Sequence, residues 1–413
     1  MTDTPLDERR AVRRYVLLTT TRWTPVGLTL GLTVLLPLER GVNLAELGAL
    51  LAISGFVSLS LELPTGGLAD TVGRRPLLVA AGAVAVASTA VFMLADGVLW
   101  FAVALVLQGT FRALDSGPLE SWFVDTLHAA NPEATPERGL SHAATMLGVG
   151  IAGGALAAGL LVGWHPLPEW SALLLPFAAA LAGQIAHLAL VAMLVREPAR
   201  VRPRRPVSRR HDSVVRGALR LLRESRVLRW LITVEVFWAV AMIAFETLTP
   251  VRLAEVLGGE DAAGAVFGPA AAAAWVTFAT GAALAGVASR RIGVAATAMM
   301  SRALNAGFVV LMAMAGGAMG LIVAFWLSYL THGANGPMHN ALLHQESSPR
   351  TRTLVLSINS AVAAGVGSLT LMLLLPLAEA TSTTVAIAAA GGLSLLGVAC
   401  YLPALRQERS RRS

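Results

Sequence analysis

About twelve apolar stretches, each roughly twenty residues long, follow one another along this 413-residue chain. They lie near 15–37, 45–66, 77–95, 98–124, 139–163, 171–195, 228–250, 263–288, 294–316, 319–343, 353–377 and 384–404. A helix of about twenty apolar residues spans the ~30 Å hydrocarbon core of a bilayer. Lipid offers no partner to a backbone N–H or C=O, and a helix satisfies both within itself. The expected fold is therefore an all-α, multi-pass membrane protein. Composition agrees: 55% of residues are hydrophobic and only 14% charged, against about 25% charged in a soluble domain. The single Cys400 excludes an internal disulfide and a cysteine-rich metal site. The first apolar run carries Arg22 and Pro25 and has no small-residue cleavage site, so no cleavable signal is expected.

The net charge of +7 is distributed by loop rather than by domain. Every basic residue is arginine. Arginines stand at 9, 10, 13 and 14, at 74 and 75, at 138, densely from 196 to 229, at 290 and 291, at 350 and 352, and from 406 to 412. These positions are the even-numbered loops and the termini. The alternate loops hold Arg40 and Arg252 among Glu39, Glu46, Asp96, Glu169, Glu255, Glu260, Asp261 and Glu379. Positive charge gathers on the cytoplasmic side of membrane proteins, so both termini are expected there, in a bacterial inner (plasma) membrane. Trp100, Trp164 and Trp170 sit at the opposite interface, as an aromatic belt would. The basic run contains no stacking aromatics before Trp230, which argues against nucleic acid as a partner. Its later part, 214–228, reads either as a surface-lying amphipathic helix or as a solvated tether.

Between the second and third runs stands Gly66-Gly67-Leu68-Ala69-Asp70-Thr71-Val72-Gly73-Arg74-Arg75. Its pattern, G-x-x-x-D-x-x-G-R-R, resembles the signature loop of the major facilitator superfamily of transporters. That resemblance implies twelve spans in two pseudo-symmetric six-helix bundles. It also implies a conformational latch built from Gly66, Asp70, Gly73, Arg74 and Arg75, with Asp125 pairing Arg74 and Asp70 facing the start of the eleventh helix. Internal similarity supports two halves. Ser116-Gly117-Pro118-Leu119 is echoed 219 residues on by Asn335-Gly336-Pro337-Met338, and Gly66 and Gly73 are echoed by Gly286 and Gly293 at 220. The division expected is 1–195 and 228–413, joined by a linker at 196–227.

Charges inside a bilayer cost at least a few kcal/mol each, so intramembrane ionisable groups are the functional candidates. On a continuous fourth helix Arg112, Asp115, Ser116 and Glu120 would span about 140° of one face. Glu120, Asp115, Arg112, Glu246 and His339 are the proton-coupling candidates; a static Arg112–Asp115 pair at i,i+3 is the alternative for those two. Arg22, Trp23, Trp238, Tyr329, His332 and Asn335 are the substrate-cavity candidates. Arg22 has no acid within helical reach and needs a partner on another helix or an anionic substrate. Glu62 reads as a cap for the following turn, Glu235 as a snorkelling partner for Arg229, and Arg302 as a further intramembrane charge. Drug-exporting relatives carry R-x-x-Q-G in the fourth helix, where this chain has Leu105 before Gln108-Gly109.

With no lysine the chain cannot carry a nucleotide-binding P-loop, and hydrolase and zinc-protease signatures are absent. No cofactor, metal or enzymatic activity is expected. The expected function is proton-coupled export of a hydrophobic or amphipathic small molecule, such as an antibiotic, by a monomer in the lipid bilayer. An uptake symporter is the alternative, favoured if polar side chains converge on one compact pocket; a non-transporting scaffold or enzyme is a weaker third. Reporter fusions at 165–169 and 200–210 should report opposite sides of the membrane. The same side for both would overturn the twelve-span assignment.

Overall fold

The computed structural model describes residues 7–66, 68–196, 217, 220, 222–348 and 351–411, with the side chains at 63, 64, 66, 69 and 70 outside that set. Among the described residues the chain is helical and has no strand. The first half comprises α1 (Glu8–Thr29), α2 (Leu32–Glu39), α3 (Leu44–Gly66), α4 (Leu68–Thr71), α5 (Arg74–Leu94), α6 (Val98–Asp115), α7 (Pro118–Ala130), α8 (Glu137–Trp164) and α9 (Leu174–Leu194). The second comprises α10 (Arg226–Leu257), α11 (Glu260–Ile292), α12 (Val294–Met314), α13 (Ala318–Gln345), α14 (Arg352–Ala380), α15 (Thr383–Leu396) and, after a 3₁₀ turn, α16 (Leu402–Ser410).

Ten helical stretches among the described residues are long and apolar enough to cross a membrane by length and composition alone. The two further spans are α1 with α2, and α13. Five arginines crowd α1, and Thr331, His332, Asn335, His339 and Asn340 dilute the apolar content of α13. With these the chain is a twelve-span membrane protein. Most of the basic linker, including 197–216, lies outside the described residues. Contacts group the chain into two units: 1–42, 53–205 and 264–272, then 43–52, 206–263 and 273–413. Short stretches of α3 and α11 thus group apart from the sequence half to which they belong.

The fourth span is two helices rather than one. α6 stops at Asp115, Gly117 takes a left-handed φ of 91°, and Pro118 opens α7. Glycine reaches that conformation without steric cost, and proline suits a first helical position. The 140° arc expected of a continuous helix is therefore corrected: Arg112 and Asp115 close α6, and Glu120 lies in the first turn of α7. The echo at Asn335-Gly336-Pro337 stays inside an unbroken α13. There Ser301 Oγ on α12 donates to Asn335 Oδ1 at 2.7 Å and holds the segment in place. Ser116 is exposed and makes no such bond among the described residues.

Helices pack where glycine removes the side chain between backbones. On α1 and α8, a Cβ at Gly27 would overlap Ile151 O, and one at Gly154 would overlap Thr24 O. On α11 and α13 the same reciprocity holds between Gly281 and Leu330 O, and between Gly333 and Phe278 O. Gly281→Ala should lower the melting temperature of the purified protein, by ~1–3 kcal/mol of overpacking or more. Gly286→Ala, where a Cβ meets open space, should be neutral or stabilising by up to ~1 kcal/mol. Equal melting temperatures would contradict this account of the packing.

Candidate functional site

A cavity of about 560 Å³ lies within the first unit, lined by α1, α6, α7 and α8. Tyr15, Thr19, Arg22 and Trp23 fall at i, i+4, i+7 and i+8 on α1, one face of that helix. Arg112 and Asp115 come from the end of α6, and Leu119 and Glu120 from the start of α7. Asp115 and Glu120 line the same cavity from either side of the break at Gly117. Leu140, Ala143, Ala144 and Leu147 on α8 supply an apolar wall.

Arg22 finds its partner across the bundle. Its Nε donates to Asp115 Oδ2 at 2.6 Å. Its guanidinium carbon lies 4.3 Å from the Phe111 ring centroid and 4.8 Å from that of Trp23. An aromatic face attracts a cation electrostatically, so the charge is satisfied by one carboxylate and two rings. The alternative i,i+3 pair of Arg112 with Asp115 is thereby corrected: the Asp115 carboxylate is engaged by α1. Arg112 makes no ion pair among the described residues; Glu62 on α3 attracts it and Arg22 repels it. The Glu62 carboxylate caps nothing among the described residues. Glu120 stands exposed on the cavity wall, without an ion pair there.

The second unit holds a separate, closed network. Glu235 on α10 sits with its Oε1 3.1 Å from His339 Nε2 and 3.9 Å from Arg302 Nη2. His339 also pairs with Tyr401 through Nδ1 at 2.9 Å, and its Nε2 lies 3.1 Å from Asn359 Oδ1. Glu235, Arg302 and His339 are 5%, 4% and 2% exposed, so all three charges or potential charges are deep in protein. The reading of Glu235 as a snorkelling partner for Arg229 is thus corrected. Arg229 donates instead to the carbonyls of Leu222 and Arg223, and Glu235 faces inward because it compensates Arg302.

Arg302 stacks over Trp238 at 4.0 Å, and His332 stacks on the same indole at 4.7 Å. Tyr329 OH donates to Glu246 Oε1 at 3.3 Å. The second-half candidates therefore divide. Asn335 and His339 are interior groups, whereas Glu246 is exposed with Tyr329 bound to it. Arg302, and the His339 partners Tyr401 and Asn359, complete a site that a single-helix reading does not assemble, since they come from α12, the 3₁₀ turn and α14. In the first half, Tyr15 and Thr19 join the cavity without having been sequence candidates, and their helical spacing to Trp23 was the signal for them.

At the signature loop, Arg74 Nη1 donates to Asp125 Oδ2 on α7. Arg75 Nη2 donates to Ala192 O at 2.7 Å. Gly73 opens α5 with a φ of 116°, and Gly293 opens α12 with a φ of 96°. Gly66 ends α3; the side chain of Asp70, and so its expected contact, lies outside the described residues. In the second half the amides of Val294 and Ala295 donate to the two carboxylate oxygens of Glu408 at 3.0 and 2.9 Å. A carboxylate borrowed from α16 thus satisfies the positive end of α12.

The family model of the Major Facilitator Superfamily matches residues 16–318. The chain belongs to this superfamily. No curated protein matches it. Among solved structures it is similar to a variant of the nucleoside transporter NupG, at a TM-score of 0.79 and 10% identity over 95% of this chain and 99% of that one. It is also similar to a bacterial homolog of the human lysosomal transporter Spinster, at 0.77 and 15% identity over 97% of each chain. A structure of a proton-dependent oligopeptide transporter scores 0.73 at 12% identity, over 98% and 100%. At such identities the likeness is one of fold.

Breaking a buried pair by removing one partner leaves an uncompensated charge, worth ~3–5 kcal/mol. Asp115→Asn and Arg22→Gln should each lower the melting temperature, and the double variant should lose less than the sum. Additive losses in that double-mutant cycle would show that the two side chains do not depend on each other.

Proposed function

We propose that this transporter-family protein couples protons to the export of a hydrophobic or amphipathic small molecule, by alternating access. In this reading it works as a monomer in a bacterial inner membrane, with both termini and the basic linker in the cytoplasm. The single observation that carries the reading is the first-unit cavity, in which an Arg22–Asp115 ion pair and Glu120, without an ion pair among the described residues, face an apolar wall. Loading a proton on Asp115 or Glu120 changes the charge of the cavity by one unit. That change alters the cavity's affinity for a bound amphipathic or charged solute. Glu246 with Tyr329, and His339 in its network, are second-half candidates for the same chemistry.

The Arg74–Asp125 pair, with Gly66, Asp70, Gly73 and Arg75, is proposed as a latch that breaks and re-forms as the protein cycles. An uptake symporter is the second reading, favoured by the convergence of Arg22, Arg112, Asp115 and Glu120 on one compact cavity. A susceptibility panel in an efflux-deficient host separates the two. Export predicts several-fold higher tolerance to at least one amphipathic compound, lost in Glu120→Gln. Uptake predicts unchanged or heightened sensitivity, with accumulation driven by an inward proton gradient. Neither phenotype with any compound or solute would remove the proton-coupled reading.

A further inference from the structure

Behind the Arg22–Asp115 pair, the interior of the first unit is hollow and polar. A small cavity of about 30 Å³ is lined by Thr21, Arg22, Phe111, Asp115, Gln184 and His187. A second, of about 80 Å³, includes Thr29, Thr33, Ser88, Thr89, Gln108 and Gln184 in its wall. The two share Pro25, Val26, Ala85, Phe111 and Gln184. The smaller shares Arg22 and Asp115 with the 560 Å³ cavity. Each exceeds the ~10–15 Å³ that one water requires, and each offers the several polar partners a buried water needs. Gln184 Oε1 is buried and has no protein partner among the described residues. An orphaned acceptor between two polar hollows is what an internal water satisfies. His187 binds Thr21 Oγ1 through Nδ1 at 2.9 Å and has no partner at Nε2 among the described residues.

We infer that these hollows form a water-filled proton conduit inside the first unit, leading past Gln184 and His187 to Asp115 and separate from the substrate's own route. The larger hollow reaches Phe92 near the end of α5 and Phe177 near the start of α9. It therefore extends toward the end of this unit opposite the start of α1, where both rings are buried. A proton passed along its waters adds to the Asp115 carboxylate, giving the neutral acid and freeing Arg22 Nε from its ion pair. In that state the Arg22 charge rests on the Phe111 and Trp23 rings alone, and release of the proton to water in the main cavity restores carboxylate and pair. Charged and titratable groups facing Asp115 are Arg22 from α1, His187 from α9, Glu120 from α7, Arg112 on its own helix and, through Arg112, Glu62 from α3.

The inference rests on the proton-coupled reading for its purpose, though its geometry stands apart, and the test needs no substrate. In reconstituted protein, infrared difference spectroscopy after a pH jump follows the Asp115 carboxyl band, identified by its loss in Asp115→Asn. Gln184→Leu keeps the side-chain size and removes the polar relay; it should slow Asp115 protonation at least tenfold. An unchanged rate overturns the conduit. Hydroxyl-radical footprinting of the unaltered protein gives a readout independent of any variant. Modification of Pro25, Phe111 and His187 by water-borne radicals is expected, and a dry, unlabelled interior overturns the proposal. If Asp115 titrates through the conduit while proteoliposomes show no proton-driven flux, the transport reading falls and the conduit stands.

Discussion

A bilayer interior tolerates neither an unpaired backbone group nor an unpaired charge, and this constraint governs how the chain is built. Every span is helical because a helix bonds its own amides and carbonyls. The same pressure explains why Arg22 reaches across to Asp115 and leans on two rings. It explains equally why Glu235, Arg302 and His339 gather at one point from three helices. Arg22, Glu235 and Arg302 each meet an opposite charge supplied by another helix.

Close packing makes those meetings possible. Gly27 and Gly154 let α1 and α8 touch backbone to backbone, which fixes the face of α1 that carries Arg22. Gly281 and Gly333 do the same for α11 and α13. Without a hydrophobic drive between helices in lipid, such dispersion contacts and interhelical bonds hold a bundle together. At the break at Gly117 the last residues of α6 and the first of α7 line one cavity.

The two halves use the repeat differently. Gly73 and Gly293 share the same positive-φ turn, so the backbone plan is common. The charges are not. The first half keeps an arginine that binds Asp125, whereas the second satisfies its helix start with Glu408 from α16. The first half holds its ion pair at the edge of a cavity, and the second seals its network in the interior.

The number of spans, the helical class and the family were legible in the amino-acid sequence, because apolar run length and a glycine-arginine turn are local properties. Arg22 was recognisable as a charge in need of a partner, since no acid lies within its own helical reach. Which acid answers it was not legible. Asp115 is 93 residues away, and periodicity pairs it as readily with Arg112. The inward turn of Glu235, the hollow beside Gln184 and the split of the fourth span likewise depend on contacts between helices distant in sequence. Periodicity along one helix says which residues share a face, and only the packed bundle decides what that face meets.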